Sequence, residues 1–146
     1  MDQRISIVTL GVSDLNKSRS FYDSLGWQAA NDGEEAEEII AYNIQSMAFA
    51  LYPIEKLSED ATVSAQMGQY STFTMAYNVD SEAKVDEVIA QARAIGAEIV
   101  KEPQKVFWGG YSSYFADPDG YLWEVAYNPF SKLGENGEFQ WGGVEN

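Results

Sequence analysis

The chain has 146 residues, of which 45% are hydrophobic and 14% aromatic, enough for one domain or for two small modules sharing a core. It is strongly acidic, with 23 Asp and Glu against 9 Lys and Arg and a net charge of −14. Such a surface repels phosphate backbones and anionic lipids. We therefore expect no nucleic-acid partner and no binding to a membrane surface.

The chain contains neither cysteine nor histidine. Without cysteine there are no disulfides, no thiolate metal sites and no cysteine nucleophile. Without histidine there is no imidazole base, no Ser-His-Asp triad and no histidine-bound zinc or iron. The N-terminus has no signal-peptide pattern, and no apolar run approaches the length of a membrane span, so we expect a cytoplasmic protein.

The first half of the chain predicts a strand, a helix and then further strands. Asp14 fits the start of the helix and Gly26 its end, and Pro53 is expected to end the last strand. The last two strands form a hairpin around Gln45 and Ser46. The predicted strands are residues 5–12, 27–30, 39–44 and 47–52.

The same order of elements recurs after a polar connection. Asp80 and Gly96 bound a second helix, so the halves are offset by about 70 residues, which indicates an internal duplication. Pro103 is expected to stop the second strand of this half, and a Pro-Asp-Gly turn ending at Gly120 precedes the last one. The predicted strands are residues 71–79, 98–101, 109–116 and 121–127.

Three motifs in this order and spacing resemble the vicinal oxygen chelate superfamily, which includes glyoxalase I, the bleomycin and fosfomycin resistance proteins and the extradiol dioxygenases. The motifs are Val12-Ser-Asp-Leu-Asn-Lys-Ser-Arg-Ser-Phe-Tyr22 with Leu25-Gly26, Ala94-Ile-Gly-Ala97, and Phe115-Ala-Asp-Pro-Asp-Gly120 with Glu124. The stretch from Trp108 to Pro129 is similar to a bacterial subgroup labelled glyoxalase-like.

The resemblance implies an α+β fold in which two βαβββ modules form a U-shaped mixed sheet around a cleft, with the helices on the outer face. It also implies a homodimer. The corresponding organisation is a single glyoxalase/bleomycin-resistance-like domain over residues 1–146, with modules at about 4–53 and 70–129, a linker at 54–69 and a tail at 130–146.

The superfamily's metal chelate has four positions, which the resemblance transfers to Ile7, Ala50, Thr74 and Glu124. Only Glu124 keeps a strong donor, whereas a catalytic zinc takes about three protein ligands and octahedral metals take more. We therefore expect no metal and no other cofactor. The two-histidine, one-carboxylate requirement of the extradiol dioxygenases excludes that activity for this chain.

Apolar or small residues at the former chelate positions would leave an apolar pocket with one acid on its wall. Glu124 has two interpretations: it anchors a cationic or hydrogen-bonding ligand or acts as a catalytic general base, or it is a relic neutralised by an Arg, Lys or Tyr. The predicted ligand-binding residues are Ile7, Ala50, Tyr52, Thr74, Trp108 and Glu124.

The aromatic residues divide between core and cleft. Phe107 and Trp108 lie in a loop before a strand and are predicted to line the rim of the cleft, where they would stack on a planar ligand or form a lid or a dimer contact. The aromatic residues predicted for the core are Phe21, Tyr22, Phe73, Phe115 and Trp123.

Three functions remain open. The preferred one is a metal-independent small-molecule binding protein resembling the bleomycin-resistance branch, with a partly apolar ligand that is cationic or aromatic. The second is a lyase or isomerase similar to glyoxalase I, with an atypical metal site that includes Glu124. The third is a dimeric interaction module whose cleft is vestigial.

Overall fold

A computed structural model of the chain describes residues 6–62, 64 and 73–143. The chain divides into two compact units, Met1–Gly68 and Gln69–Asn146. The predicted α+β class is confirmed. In chain order the elements are β1 (Ile7–Val12), α1 (Leu15–Ser24), a 3₁₀ helix (Glu35–Glu37), β2 (Ile40–Ile44), β3 (Met47–Pro53), α2 (Ile54–Asp60), β4 (Thr74–Val79), α3 (Glu82–Ala94), β5 (Glu98–Lys105), β6 (Tyr111–Ala116) and β7 (Leu122–Tyr127).

The helices α1 and α3 begin and end with the same chemistry. The side chains of Asp14 and Ser81 each accept a hydrogen bond from the backbone N–H three residues later, at 2.9 and 3.3 Å. Gly26 and Gly96 follow the helices with φ of 92° and 86°, a left-handed conformation that costs glycine little. No helix in the described part of the chain is long and apolar enough to cross a membrane.

The two sheets share one strand order. The first is β1-β3-β2 and the second is β4-β7-β6-β5. In each sheet the first strand of the unit runs parallel to the last, and the other neighbours are antiparallel. A parallel pair needs a crossover connection, which α1 and α3 supply. The shared order agrees with an internal duplication.

The first sheet has three described strands because residues 27–30, predicted as a strand, are irregular. The backbone N–H of Ala30 still donates to the carbonyl of Ala41 at 2.7 Å. The side-chain amide of Asn31 then donates to the carbonyl of Ile39 at 2.7 Å and accepts from the N–H of Ala41 at 2.9 Å. One side chain therefore occupies the place that a strand backbone would take beside β2.

The second sheet has four strands, and β5 continues through Pro103, so the prediction that proline ends this strand is wrong. Lys101 is opposite Tyr114 and Gln104 is opposite Ser112, which leaves one extra residue of β5 between the two pairs. This bulge accommodates the proline, which has no N–H for the ladder. Because side chains alternate along a strand, the extra residue reverses the face to which the following side chains point.

The predicted linker, residues 54–69, begins with the helix α2. This helix packs on β1, where a Cβ at Gly11 would lie 3.1 Å from Ile54 Cγ1 and 3.2 Å from Leu57 Cδ2. The rest of the linker, and the beginning of the strand predicted at residues 71–79, lie largely outside the described residues.

An aromatic cluster between α1 and the first sheet forms the core of the first unit. Tyr22 is fully buried, and its ring centroid lies 5.0 Å from that of Phe49 and 6.1 Å from that of Tyr42. The hydroxyl of Tyr42 donates to Asp23 Oδ1 at 3.1 Å. Burial raises the pKa of the Tyr42 phenol, and the adjacent Asp23 carboxylate raises it further.

Most of the aromatic residues predicted for the core are buried. Phe73 is the exception, since it precedes the first paired residue of β4 and is 43% exposed. In the second unit α3 buries Val85, Ile89 and Ala92. The predicted core aromatics that are buried are Phe21, Tyr22, Phe115 and Trp123.

Replacing Tyr42 by Phe should change the pH dependence of stability. The unfolded phenol loses its proton near its ordinary pKa of 10.0, while the folded phenol keeps it to higher pH. The folded state then binds more protons, so this tyrosine lowers the unfolding free energy by about 1.4 kcal/mol per pH unit above that value. Urea unfolding at neutral and alkaline pH should show a shallower alkaline decline for Tyr42→Phe than for the native chain.

The control is Phe49→Leu, which removes packing from the same cluster without removing a titrating group. It should lower the unfolding free energy by a similar amount at every pH. An alkaline slope that is identical in the native chain and in Tyr42→Phe would contradict this account of Tyr42.

Candidate functional site

Each sheet has one face against its own crossover helix, and we call the opposite face the distal face. In the second unit the helix side is identified by Tyr111, whose hydroxyl donates to Asp86 Oδ1 of α3 at 2.9 Å, and by the ion pair of Lys105 with Glu82 of α3. Side chains that alternate with Tyr111 therefore lie on the distal face. On β4, β6 and β7 these are Thr74, Ala76, Asn78, Ser112, Tyr114, Ala116, Leu122, Glu124 and Ala126.

Glu124 lies in the middle of this distal face. It is on β7, directly opposite Tyr114 of β6 and Ala76 of β4. Its side chain is half-buried. Within the described residues no hydrogen bond or ion pair reaches its carboxylate. If Glu124 were a relic, an Arg, Lys or Tyr would have to neutralise it. This part of the chain supplies no such contact.

Lys101 lies on the same face, although it is not among the ligand-binding residues predicted from the sequence. Its ammonium donates to Ser112 Oγ at 2.9 Å and lies 5.6 Å from the centroid of the Tyr114 ring. Strict alternation along β5 would have placed Lys101 and Lys105 on one face, but the bulge at Pro103 separates them. A proline within a strand pattern was the signal in the sequence, because it indicates a bulge.

The positions transferred from the superfamily's chelate are equivalent in the two units. In the first unit, Ile7 on β1 pairs with the residue two positions before Ala50 on β3. In the second unit, Thr74 on β4 likewise pairs with the residue two positions before Glu124 on β7. Each pair therefore lies on one face of two adjacent strands, with Cα atoms roughly 8 Å apart. The assignment of these four positions to a former chelate stays a prediction.

The distal face of the first unit is small and largely apolar. Ile7, Thr9, Ala50 and Tyr52 share it, since they alternate with side chains such as Phe49 that pack toward α1. Ile7 is 48% exposed, Ala50 is fully buried and Tyr52 is half-buried. Apart from the hydroxyls of Thr9 and Tyr52, these four side chains carry no polar atom, and Asn43 of β2 adds an exposed amide to the same face.

This set of residues does not fit a catalytic divalent ion. Ile7 and Ala50 have no donor atom, Thr74 offers a hydroxyl, and Glu124 is the one strong ligand of the four. The chain has no histidine or cysteine, and among the described residues no three acidic side chains are grouped so that they could hold a metal. Catalytic zinc takes about three protein ligands, and calcium takes about six to eight oxygens.

Trp108 lies in the loop between β5 and β6. Its indole packs over Gly110, where a Cβ would be 1.9 Å from Trp108 Cη2, so the loop requires glycine there. Phe130 reaches the same loop at Gly109. The indole remains 37% exposed and Phe107 is fully exposed. The loop thus presents a flat aromatic surface, and a role for Trp108 in ligand binding stays a prediction.

The chain is similar to known proteins over most of its length. Residues 4–125 match the model of the Glyoxalase/Bleomycin resistance protein/Dioxygenase superfamily. The chain is 29% identical over 124 residues to the fosfomycin resistance protein FosX of Listeria monocytogenes, in an alignment that covers 83% of this chain and 86% of that protein.

Two solved structures illustrate the structural similarity. A glyoxalase-related enzyme from Fulvimarina pelagi has a TM-score of 0.85 and 30% identity, covering 96% of this chain and 99% of that one. Lactoylglutathione lyase from Agrobacterium tumefaciens has a TM-score of 0.66 and 20% identity, covering 87% of this chain and 95% of that one, which supports the fold alone. The chain belongs to the Glyoxalase/Bleomycin resistance protein/Dioxygenase superfamily.

Proposed function

We propose that this protein binds a small organic molecule without a metal ion, in the manner of the bleomycin-resistance branch of its superfamily. The ligand would lie on the distal face of the second unit, with Glu124 as its main polar anchor. Thr74 would lie beside the ligand on the adjacent strand. Location in the cytoplasm and formation of a homodimer stay predictions from the sequence.

The observation that carries the proposal is the state of Glu124. A half-buried carboxylate loses part of its hydration, and this loss is unfavourable unless a donor replaces the water. Within the described residues no side chain or backbone group supplies that donor. A ligand that brings an ammonium or an N–H group would supply it, and such a charge-assisted hydrogen bond is among the stronger polar contacts.

The surroundings of Glu124 favour an organic ligand over an ion. Its neighbours include Ala76 on β4, Ala116 on β6 and Ala126 on its own strand, three side chains that end in a methyl group. Small-molecule sites combine apolar surface with polar anchors, and this face offers Leu122 and the three alanines beside Glu124. Similarity to a protein named for fosfomycin resistance also supports a small organic ligand.

Two measurements on the purified protein test the proposal. Dialysis against nickel, cobalt or zinc followed by metal analysis should leave no stoichiometric metal, and these ions should not raise the melting temperature. A thermal-shift screen of small molecules should find compounds that do raise it, since a ligand at 100 times its Kd stabilises the native state by about 2.7 kcal/mol.

The variant Glu124→Gln makes these measurements specific, because it keeps the shape of the side chain and removes its charge. The compounds found in the screen should lose their effect on it. One equivalent of metal per chain that is bound by the native protein and lost in Glu124→Gln would overturn the proposal in favour of a glyoxalase-like metal site.

Glu124→Gln should also leave the unfolding free energy unchanged or raise it by up to about 1 kcal/mol, because a carboxylate kept for binding contributes nothing to folding. The comparison is Asp117→Ala. Asp117 is 5% exposed and accepts hydrogen bonds from the N–H groups of Asp119 and Tyr121, both at 2.9 Å.

Loss of these bonds should destabilise the Asp117→Ala variant by about 1–3 kcal/mol in urea unfolding. A comparable loss in Glu124→Gln would mean that this carboxylate has a structural partner, and it would count against a ligand-binding role.

A further inference from the structure

The distal face of the second unit carries a second charge, the ammonium of Lys101. The side chain is half-buried, and its ammonium contacts Ser112 Oγ and the Tyr114 ring. The chain has 23 acidic residues against 9 basic ones, so carboxylates are abundant. Among the described residues, Lys101 is nevertheless the one half-buried basic side chain without a carboxylate partner.

A lysine on the same strand provides a comparison within the molecule. Lys105 lies 5.9 Å from the centroid of the Tyr111 ring, just as Lys101 lies over Tyr114. On the helix side, however, α3 supplies acids to both members of the pair: Glu82 bonds Lys105 and Asp86 bonds Tyr111. The ammonium on the distal face receives no such acid from the described residues. Lys101 and Lys105 have the same side chain. The missing acidic partner is therefore a property of the distal face and not of lysine itself.

Lys101, Tyr114, Glu124 and Ala76 form one row across four adjacent strands. We call it the charged row. Its positive and negative members are two strands apart, so their Cα atoms are separated by about 9–10 Å. They do not form an ion pair with each other. Between them lies the Tyr114 ring, and beyond Glu124 the row ends in a methyl group.

We propose that the charged row binds a small zwitterion, a molecule with an anionic and a cationic group at opposite ends of a short apolar body. This inference rests on the proposed function and specifies its ligand. The anionic group binds the Lys101 ammonium, the cationic group binds the Glu124 carboxylate, and the body lies against Tyr114. Both half-buried charges then gain a partner of opposite sign.

The overall charge of the protein favours a zwitterion over a simple ion. A net charge of −14 repels a free anion before it reaches Lys101. A simple cation satisfies Glu124 but adds a positive charge near the Lys101 ammonium. A molecule with no net charge avoids both penalties.

The experiment uses a matched set of probes on the full chain. The zwitterion para-(aminomethyl)benzoate carries an ammonium and a carboxylate at opposite ends of a flat ring, while benzylamine and benzoate each keep one of the two charges. Glycine, β-alanine and ε-aminocaproate vary the separation between the charges. At least one zwitterion should raise the melting temperature, and calorimetry should give a Kd for it at least about tenfold lower than for either singly charged probe.

Variants assign the binding to the charged row. Lys101→Met and Glu124→Gln should each weaken the bound zwitterion by roughly tenfold to a hundredfold, which is the usual effect of losing a hydrogen bond to a charged group. The controls are Lys105→Met and Glu87→Gln. They change the same residue types, but each of these side chains has an ion-pair partner on α3. The Kd of both controls should equal that of the native chain.

The outcomes separate this inference from the proposed function. If no zwitterion binds better than the singly charged probes, the inference is wrong. It is also wrong if Lys101→Met leaves the Kd of the zwitterion unchanged. Binding of other compounds that depends on Glu124 alone would then leave the proposed function standing, whereas metal binding through Glu124 would overturn both.

Discussion

The parallel pairing of the first and last strands in each unit is the constraint on which the rest of the structure depends. Two neighbouring parallel strands cannot be joined by a tight turn, so the chain must cross over as a helix that packs on one face. The other face is then left to alternate side chains of the strands. In the second unit the pairing of β4 with β7 brings Ala76 beside Glu124 and Thr74 one step along the same face.

The second unit divides its charges between the two faces of one sheet. On the helix side, lysine and tyrosine are held by acids of α3 and contribute to the fold. On the distal face, Lys101 has no carboxylate partner and Glu124 has no basic partner among the described residues. Partial burial of a charge is unfavourable unless a group of opposite sign or a hydrogen bond compensates for the lost water, and a bound ligand can supply that group. This contrast supports a binding role more strongly than the family resemblance alone does.

The sequence predicted those features that local chemistry determines. Helix boundaries follow from capping residues such as Asp14 and Gly26, and Glu124 follows from a turn motif that fixes where β7 begins. Features that depend on a neighbouring strand were missed. The amide of Asn31 replaces strand backbone only because β2 lies beside it, and the face of Lys101 depends on a bulge against β6. Neither leaves a periodic pattern in its own segment.

The bulge at Pro103 also affects how copies of this chain can associate. An outer strand exposes backbone groups that can template pairing with another molecule, a common route to aggregation. Along β5 the irregular register around Pro103 breaks the even spacing that an incoming strand would need. On the other sheet, Asn31 already occupies backbone groups of residues 39 and 41 beside β2. Both of these edges are therefore poor templates for a continuous ladder between two molecules.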